Sequence, residues 1–139
     1  NMTPRETLEA CRSMAQECEK IAELIEIAEK RLPMGPSASV SVALRDTPRG
    51  GNDATAAAIA HLDGLEEWYL RDHAELVILA GRVEDILIGV LAQDSRKVLR
   101  LYYVDALTDV EVAQAMGWMC RETACRKRID ALQGIETDA

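Results

Sequence analysis

The 139-residue sequence contains no phenylalanine, and three tyrosines and two tryptophans are its only aromatic residues. Its apolar residues are instead mostly leucine, isoleucine, valine and alanine, within a hydrophobic fraction of 48%. This fraction is large enough for a core. Because large aromatic residues are scarce, we interpret the composition as favouring packed helices over sheets. The sequence predicts an all-α fold of one domain, or of one small domain with an arm.

Long hydrophobic runs are also absent. No apolar run approaches the roughly 18–20 residues that a helix needs to span a bilayer. The first residues lack the basic and then apolar pattern of a secretory signal. We therefore expect a cytoplasmic protein with no membrane partner.

Cysteine and histidine are too few and too scattered for metal or nucleophilic chemistry. The four cysteines form no Cys-x-x-Cys pair, and zinc-site spacing is missing. Cys11 and Cys18 lie two helical turns apart, roughly 10 Å by helix rise, which is too far for a disulfide. The sequence also has no glycine-rich phosphate loop and no histidine paired with a nucleophile. We expect no enzymatic activity, no cofactor and no metal site.

The net charge of −8 argues against a protein that coats nucleic acid nonspecifically. Residues 1–91 hold 9 basic and 16 acidic side chains, net −7, whereas residues 92–139 hold 7 and 8, net −1. Nearly all the acidity therefore lies outside the C-terminal region. This distribution favours short, specific contacts with DNA, or protein partners.

The helices of the N-terminal region, residues 1–91, are predicted from their caps. Thr3, Pro4 and Glu6 form a strong helix start, and the helix should run to about Arg31. A Pro/Gly-rich linker at 33–52 should follow, partly disordered and with a short extended piece at Val40, Val42 and Leu44. Asn52 or Asp53 should cap a second helix that runs to about Leu91.

Both long helices carry apolar residues at alternating spacings of three and four, the pattern of a coiled-coil seam. The first seam consists of Cys11, Met14, Cys18, Ile21, Ile25, Ala28 and Leu32. The second seam consists of Leu62, Leu65, Tyr69, Asp72, Leu76, Leu79, Val83, Ile86 and Val90. We expect an antiparallel, coiled-coil-like hairpin. Beyond Leu76 the second helix is apolar on more than one side, so its C-terminal half should pack against the first helix, the C-terminal domain and a second subunit. We therefore expect a homodimer or higher oligomer through the hairpin.

The C-terminal region, residues 92–139, predicts a three-helix domain of the helix-turn-helix type. Asp94 or Ser95 should cap a supporting helix from Arg96 to Asp105. Thr108 and Glu111 should form a capping box at the start of a short helix, and Gly117 should end that helix. A basic helix at about 120–133 follows, and Gly134 should end it.

Five residues of the basic helix are candidates for DNA contacts: Arg121, Thr123, Arg126, Lys127 and Arg128. Two orientations of the helix remain open. If Cys125, Ile129 and Leu132 face the core, then Thr123, Lys127 and Arg128 point outward. If Ala124, Ala131 and Ile135 face the core, then Thr123, Arg126 and Asp130 point outward. Arg121, near the helix start, can reach base edges or phosphate in either case.

The segment RKVLRLYYVDALTDVEVAQAMGW, residues 96–118, resembles the fourth conserved region of bacterial sigma factors, which reads the −35 promoter element. TACRKRIDAL, residues 123–132, resembles the ending of that region in small phage-encoded relatives. DTPRGGND, residues 46–53, is similar to a linker of short phage and prophage proteins from Gram-positive bacteria, some of them late-gene activators. The chain departs from the family at Met119, where Ser or Thr is usual, and by one extra residue between Gly117 and Thr123.

The resemblance implies a phage or prophage transcriptional regulator that binds double-stranded DNA, with RNA polymerase as a further partner. The basic helix would then read a specific sequence in the major groove. One alternative is a sigma-like interaction module that binds RNA polymerase or a phage protein without specific DNA binding. Another is a DNA-packaging recognition subunit, which also combines a helix-turn-helix with coiled-coil oligomerisation but usually places the helix-turn-helix first in the chain.

Overall fold

A computed structural model describes residues 2–32 and 49–138, with side chains described for 2–32 and 54–136. All regular structure in these ranges is helical, which confirms the all-α fold class. The five helices are α1 (Pro4–Arg31), α2 (Arg49–Ile88), α3 (Gln93–Leu99, continued by a π-helical turn at Arg100–Val104), α4 (Asp109–Met116) and α5 (Arg121–Asp138). Within the same ranges, no helix is long and apolar enough to cross a membrane.

Helix α1 begins and ends where the sequence predicts. The Glu6 amide donates to Thr3 Oγ1 at 3.1 Å, and the Thr3 amide donates to Glu6 Oε1 at 2.9 Å. These reciprocal bonds satisfy two amides that the first helical turn leaves without a carbonyl partner. Both bonds also lower the pKa of the Glu6 carboxyl, because they stabilise its charged form.

Four predicted helix limits are wrong. Helix α2 begins at Arg49 rather than at Asn52 or Asp53, because two glycines weaken a helix without forbidding it. It ends at Ile88 rather than at about Leu91. Helix α3 begins at Gln93 after Ala92, which has no capping side chain, rather than after Asp94 or Ser95. Helix α5 continues through Gly134 to Asp138. The linker predicted at 33–52 is wrong at 49–52, which are helical. The extended piece and the rest of the linker, 33–48, lie outside the described residues.

The chain groups into two compact units, of which the larger comprises residues 1–17 and 73–139 and the smaller residues 18–72. The predicted domain boundary between 91 and 92 stays a prediction. In the smaller unit, Cys18 and Ile21 of α1 and Leu65 of α2 are buried. Leu62, Tyr69 and Asp72 of the same unit are half-buried, as the seam on α2 predicts.

The main core of the larger unit draws on four helices. Its buried residues are Leu8, Cys11, Leu79, Val83, Leu87, Leu99, Tyr103 and Leu132. The first turns of α1 are therefore part of the same core as α3 and α5, which the sequence pattern did not predict. An ion pair between Arg5 and Glu136, 3.0 Å between Nη1 and Oε1, also links α1 to α5.

Candidate nucleic-acid interface

Helix α4 is held at both ends by the residues that the sequence predicts. At its start the Glu111 amide donates to Thr108 Oγ1 at 3.2 Å, and the Thr108 amide donates to Glu111 Oε1 at 2.9 Å. These bonds lower the pKa of the Glu111 carboxyl. At its end Gly117 adopts a φ of 75°, which suits a residue without Cβ. The Trp118 amide then donates to the Ala113 carbonyl at 2.8 Å, so the end of α4 is well defined.

A second core holds α4 and α5 against α3. Val98 of α3, Val112 and Ala113 of α4, and Ala124 of α5 are buried together. Alanine at two of these four positions leaves little side chain between the helices, so α4 and α5 can approach closely. The first turn of α5 is thereby fixed relative to α4.

The burial pattern decides between the two orientations predicted for α5. Ala124 is fully buried, and Ala131 and Ile135 pack against the main core. Ile129 is 44% exposed and Cys125 is half-buried. The helix therefore adopts the second orientation, with Leu132 added to its buried face.

The outer face of α5 carries four of the five predicted contact residues. Thr123, Arg126 and Lys127 are exposed and line one shallow groove together with Asp130. Arg121 is exposed at the start of the helix, with its Nε 3.5 Å from Glu122 Oε1. Because both side chains of that pair are 68% exposed, the pair contributes little stability and leaves Arg121 available to a ligand.

Arg128 lies elsewhere: its side chain is only 15% exposed. Its Nη2 donates to Asp109 Oδ2 at 3.0 Å, and its guanidinium carbon lies 4.0 Å from the centre of the Tyr102 ring. Burial by itself lowers the pKa of Arg128, but the hydrogen bond to Asp109 raises it, and the net shift is upward. Arg128 therefore stays charged and joins α5 to α4 and α3. Its predicted contact with DNA stays a prediction.

Arg12 of α1 belongs to the same cluster, and sequence reasoning missed it. Its Nη1 donates to the carbonyls of Tyr102 at 2.5 Å and Leu107 at 2.9 Å. Its guanidinium carbon lies 3.7 Å from the centre of the Tyr102 ring. The one sequence signal for Arg12 is its place directly after Cys11 of the predicted seam, and that signal is weak.

None of the four cysteines forms a disulfide. Cys11 and Cys18 are buried, and burial raises the pKa of the Cys11 thiol, so Cys11 is a poor nucleophile. Cys120 is exposed just before α5, with its Sγ 3.4 Å from Thr123 Oγ1. Among the described residues, no three His, Cys, Asp or Glu side chains are grouped so as to hold a metal ion.

In comparisons with known proteins, no protein-family model, no curated protein and no solved structure matches this chain.

Proposed function

We propose that this chain is a sequence-specific DNA-binding transcriptional regulator of phage or prophage type, with α5 reading the major groove. The observation that supports this best is the division of α5 into two faces. Ala124 and Leu132 hold its inner face in the two cores, while Thr123, Arg126 and Lys127 share its exposed face. A helix that follows a tight turn and presents such a face has the geometry of a recognition helix.

Each exposed residue suits a particular contact. An arginine can donate two hydrogen bonds to guanine O6 and N7, so Arg126 is our candidate for reading a base. The Thr123 hydroxyl can bond either base edges or phosphate. Lys127 and Arg121 suit phosphate, which positions the helix without reading sequence.

The mixed charge of this face limits the number of phosphate contacts. Glu122 and Asp130 line the same groove as Arg126 and Lys127, and the chain carries a net charge of −8. One such helix reads few base pairs, so specific binding requires two copies on a repeated or palindromic site.

We propose the outer face of α2 in the larger unit as the contact between copies. Val77 is 57% exposed, Ile78 58%, Ile88 74% and Leu91 92%. Val77, Gly81 and Ile88 follow spacings of four and seven, so they form one strip on the helix, and Leu91 lies three residues beyond the end of the helix. Such a strip, distinct from the core face, is typical of a helix with a second packing partner.

The second candidate is a protein-interaction module that binds RNA polymerase or a phage protein. Two observations favour it: the acidic residues Glu122 and Asp130 on the reading face, and Met119, which is fully exposed two residues before α5. Acidic residues and a flexible, exposed apolar side chain suit a protein surface better than a phosphate backbone.

Selection from a random duplex library separates the two candidates. The purified chain is incubated with the library at low salt, and bound DNA is amplified and sequenced. An enriched motif supports the first candidate. If no motif is enriched while the chain retains RNA polymerase in a pull-down, the second candidate replaces it.

A further inference from the structure

We propose that Asp109, Arg128, Tyr102 and Arg12 form a positioning cluster that sets the angle of α5 on DNA. This inference rests on the proposed function. The four residues come from α4, α5, the π-helical turn of α3, and α1. They touch one another through the contacts already described, so each helix around the reading face is joined to the others at one place.

The Asp109–Arg128 pair joins the two helices of the turn directly. Three donor–acceptor distances between the guanidinium and the carboxylate are 3.0, 3.3 and 3.4 Å. The side chains are only 15% and 25% exposed, so solvent screens this pair less than a surface pair. A planar guanidinium in this geometry restrains rotation as well as distance.

Tyr102 extends the restraint to α1. The guanidinium groups of Arg12 and Arg128 lie 3.7 and 4.0 Å from the centre of the same ring. Tyr102 also packs edge to face against Tyr103, with ring centres 4.9 Å apart, and Tyr103 is buried in the main core. The ring that both arginines contact is therefore fixed by the core.

This arrangement gives Arg128 a role that differs from that of Arg126. Its guanidinium is occupied by Asp109 and Tyr102, so it acts on DNA through the placement of Thr123, Arg126 and Lys127. Arg12 acts in the same way, from a helix that precedes the reading face by more than ninety residues.

The sign of one substitution tests the proposal. Asp109→Asn removes a negative charge next to the reading face. If Asp109 mattered only as a charge, loss of its repulsion of phosphate would strengthen binding and steepen the salt dependence. If Asp109 positions α5, the same change weakens binding to the selected motif by about tenfold, within the range for coupled contacts. The slope of log affinity against log salt should then stay the same.

Three further variants complete the experiment. Arg128→Lys keeps the charge but loses the planar contacts, so it should reproduce the loss. Asp109→Glu should restore part of the affinity. Asp63→Asn, which removes an equal charge from the exposed surface of α2 in the smaller unit, should have no effect. All are measured on the 139-residue chain below its melting midpoint, with helix content checked by circular dichroism; if Asp109→Asn does not fold, Arg128→Lys decides.

The outcomes are distinct. If the wild-type chain enriches no motif, the proposed function is overturned, and this inference with it. If the wild type binds a motif while folded Asp109→Asn or Arg128→Lys binds equally or more tightly, the positioning role alone is overturned. Weaker binding of both variants at an unchanged salt slope supports it.

Discussion

The guanidinium of Arg100 donates two hydrogen bonds to the carboxylate of Glu84, each 2.8 Å long. The pair joins the π-helical turn that continues α3 to the last turns of α2, and it is about 45% exposed on both sides. Hydrogen bonds from Arg100 lower the pKa of Glu84, because they stabilise its charged form. An exposed pair with two parallel bonds is among the better surface ion pairs, though still a weak one.

Acid should therefore remove the contribution of this pair to stability. Since the pKa of folded Glu84 lies below its ordinary value of about 4.5, the contribution is complete above that pH and is lost as pH falls through the lowered pKa. Glu84→Gln should lower the free energy of unfolding by about 0.5 kcal/mol at pH 7, a value that allows for solvent screening. Chemical denaturation at pH 7 and at a series of lower pH values checks this, because the effect of Glu84→Gln should shrink as the Glu84 carboxylate becomes protonated. A difference that stays constant over the whole series contradicts the ionic origin.

Gly117 should be the most sensitive glycine of the described residues. Its φ of 75° is a left-handed conformation, so Gly117→Ala should cost about 1 kcal/mol of unfolding free energy although no atom lies near the new Cβ.

Gly134→Ala is the matched control for that change. Gly134 lies inside α5 with nothing within 4 Å of an added Cβ. The same substitution there should stabilise the protein by about 0.5–1 kcal/mol. Equal effects of the two variants in thermal melts would show that conformation at position 117 is unimportant.

At Ala106 the opposite substitution, alanine to glycine, is informative. It has a φ of 57°, and no other described residue except Gly117 has a positive φ. The left-handed conformation costs an L-residue about 1–2 kcal/mol, and glycine removes this strain. Part of that gain is offset because glycine has a greater entropy in the unfolded state. Ala106→Gly should stabilise the chain by about 0.5 kcal/mol in denaturant titration. A lower midpoint would mean that the Ala106 methyl group makes a contact worth more than the strain.

The roles of the apolar strip on α2 and of its core face can be distinguished by measuring the oligomer mass and the stability of the fold. Ile88→Glu with Leu91→Glu should lower the mass seen by light scattering while helix content is kept, because both side chains lie outside the cores of the single chain. Leu76→Asp should instead destabilise the fold, since Leu76 packs against the main core. The proposed contact between copies is contradicted if the wild type is a monomer. It is also contradicted if the wild type is an oligomer and the double variant has the same mass.

Local features were the most predictable part of this molecule. The capping boxes at Thr3 and Thr108 and the left-handed Gly117 depend on residues within four positions, so the sequence alone predicts them. The seam on α2 is equally local: all nine of its predicted positions are buried or half-buried. These features follow from helical periodicity, which neighbouring residues determine.

The rest depends on contacts between distant residues. Arg12 and Tyr102 are ninety positions apart, and only packing shows that the Arg12 guanidinium caps carbonyls at the end of α3. Gly134 was expected to end α5, yet Ala131, Leu132 and Ile135 pack against the main core, which outweighs the weak helix preference of glycine. The sequence left two orientations of α5 possible because the two apolar stripes of the helix overlap. Contacts with distant residues, above all the burial of Ala124, decide between these orientations.

The most direct test of the proposed function is a salt titration on the motif selected from a random duplex library. Wild type, Arg126→Ala and Arg71→Ala are compared, the last removing an equal charge from the exposed surface of α2 in the smaller unit. We predict that Arg126→Ala weakens binding to the motif by about 1–3 kcal/mol and relaxes the preference at one base pair, while Arg71→Ala behaves as wild type. Failure of the wild type to enrich any motif at low salt, or equal affinity of wild type and Arg126→Ala for it, would contradict the proposal that α5 reads DNA.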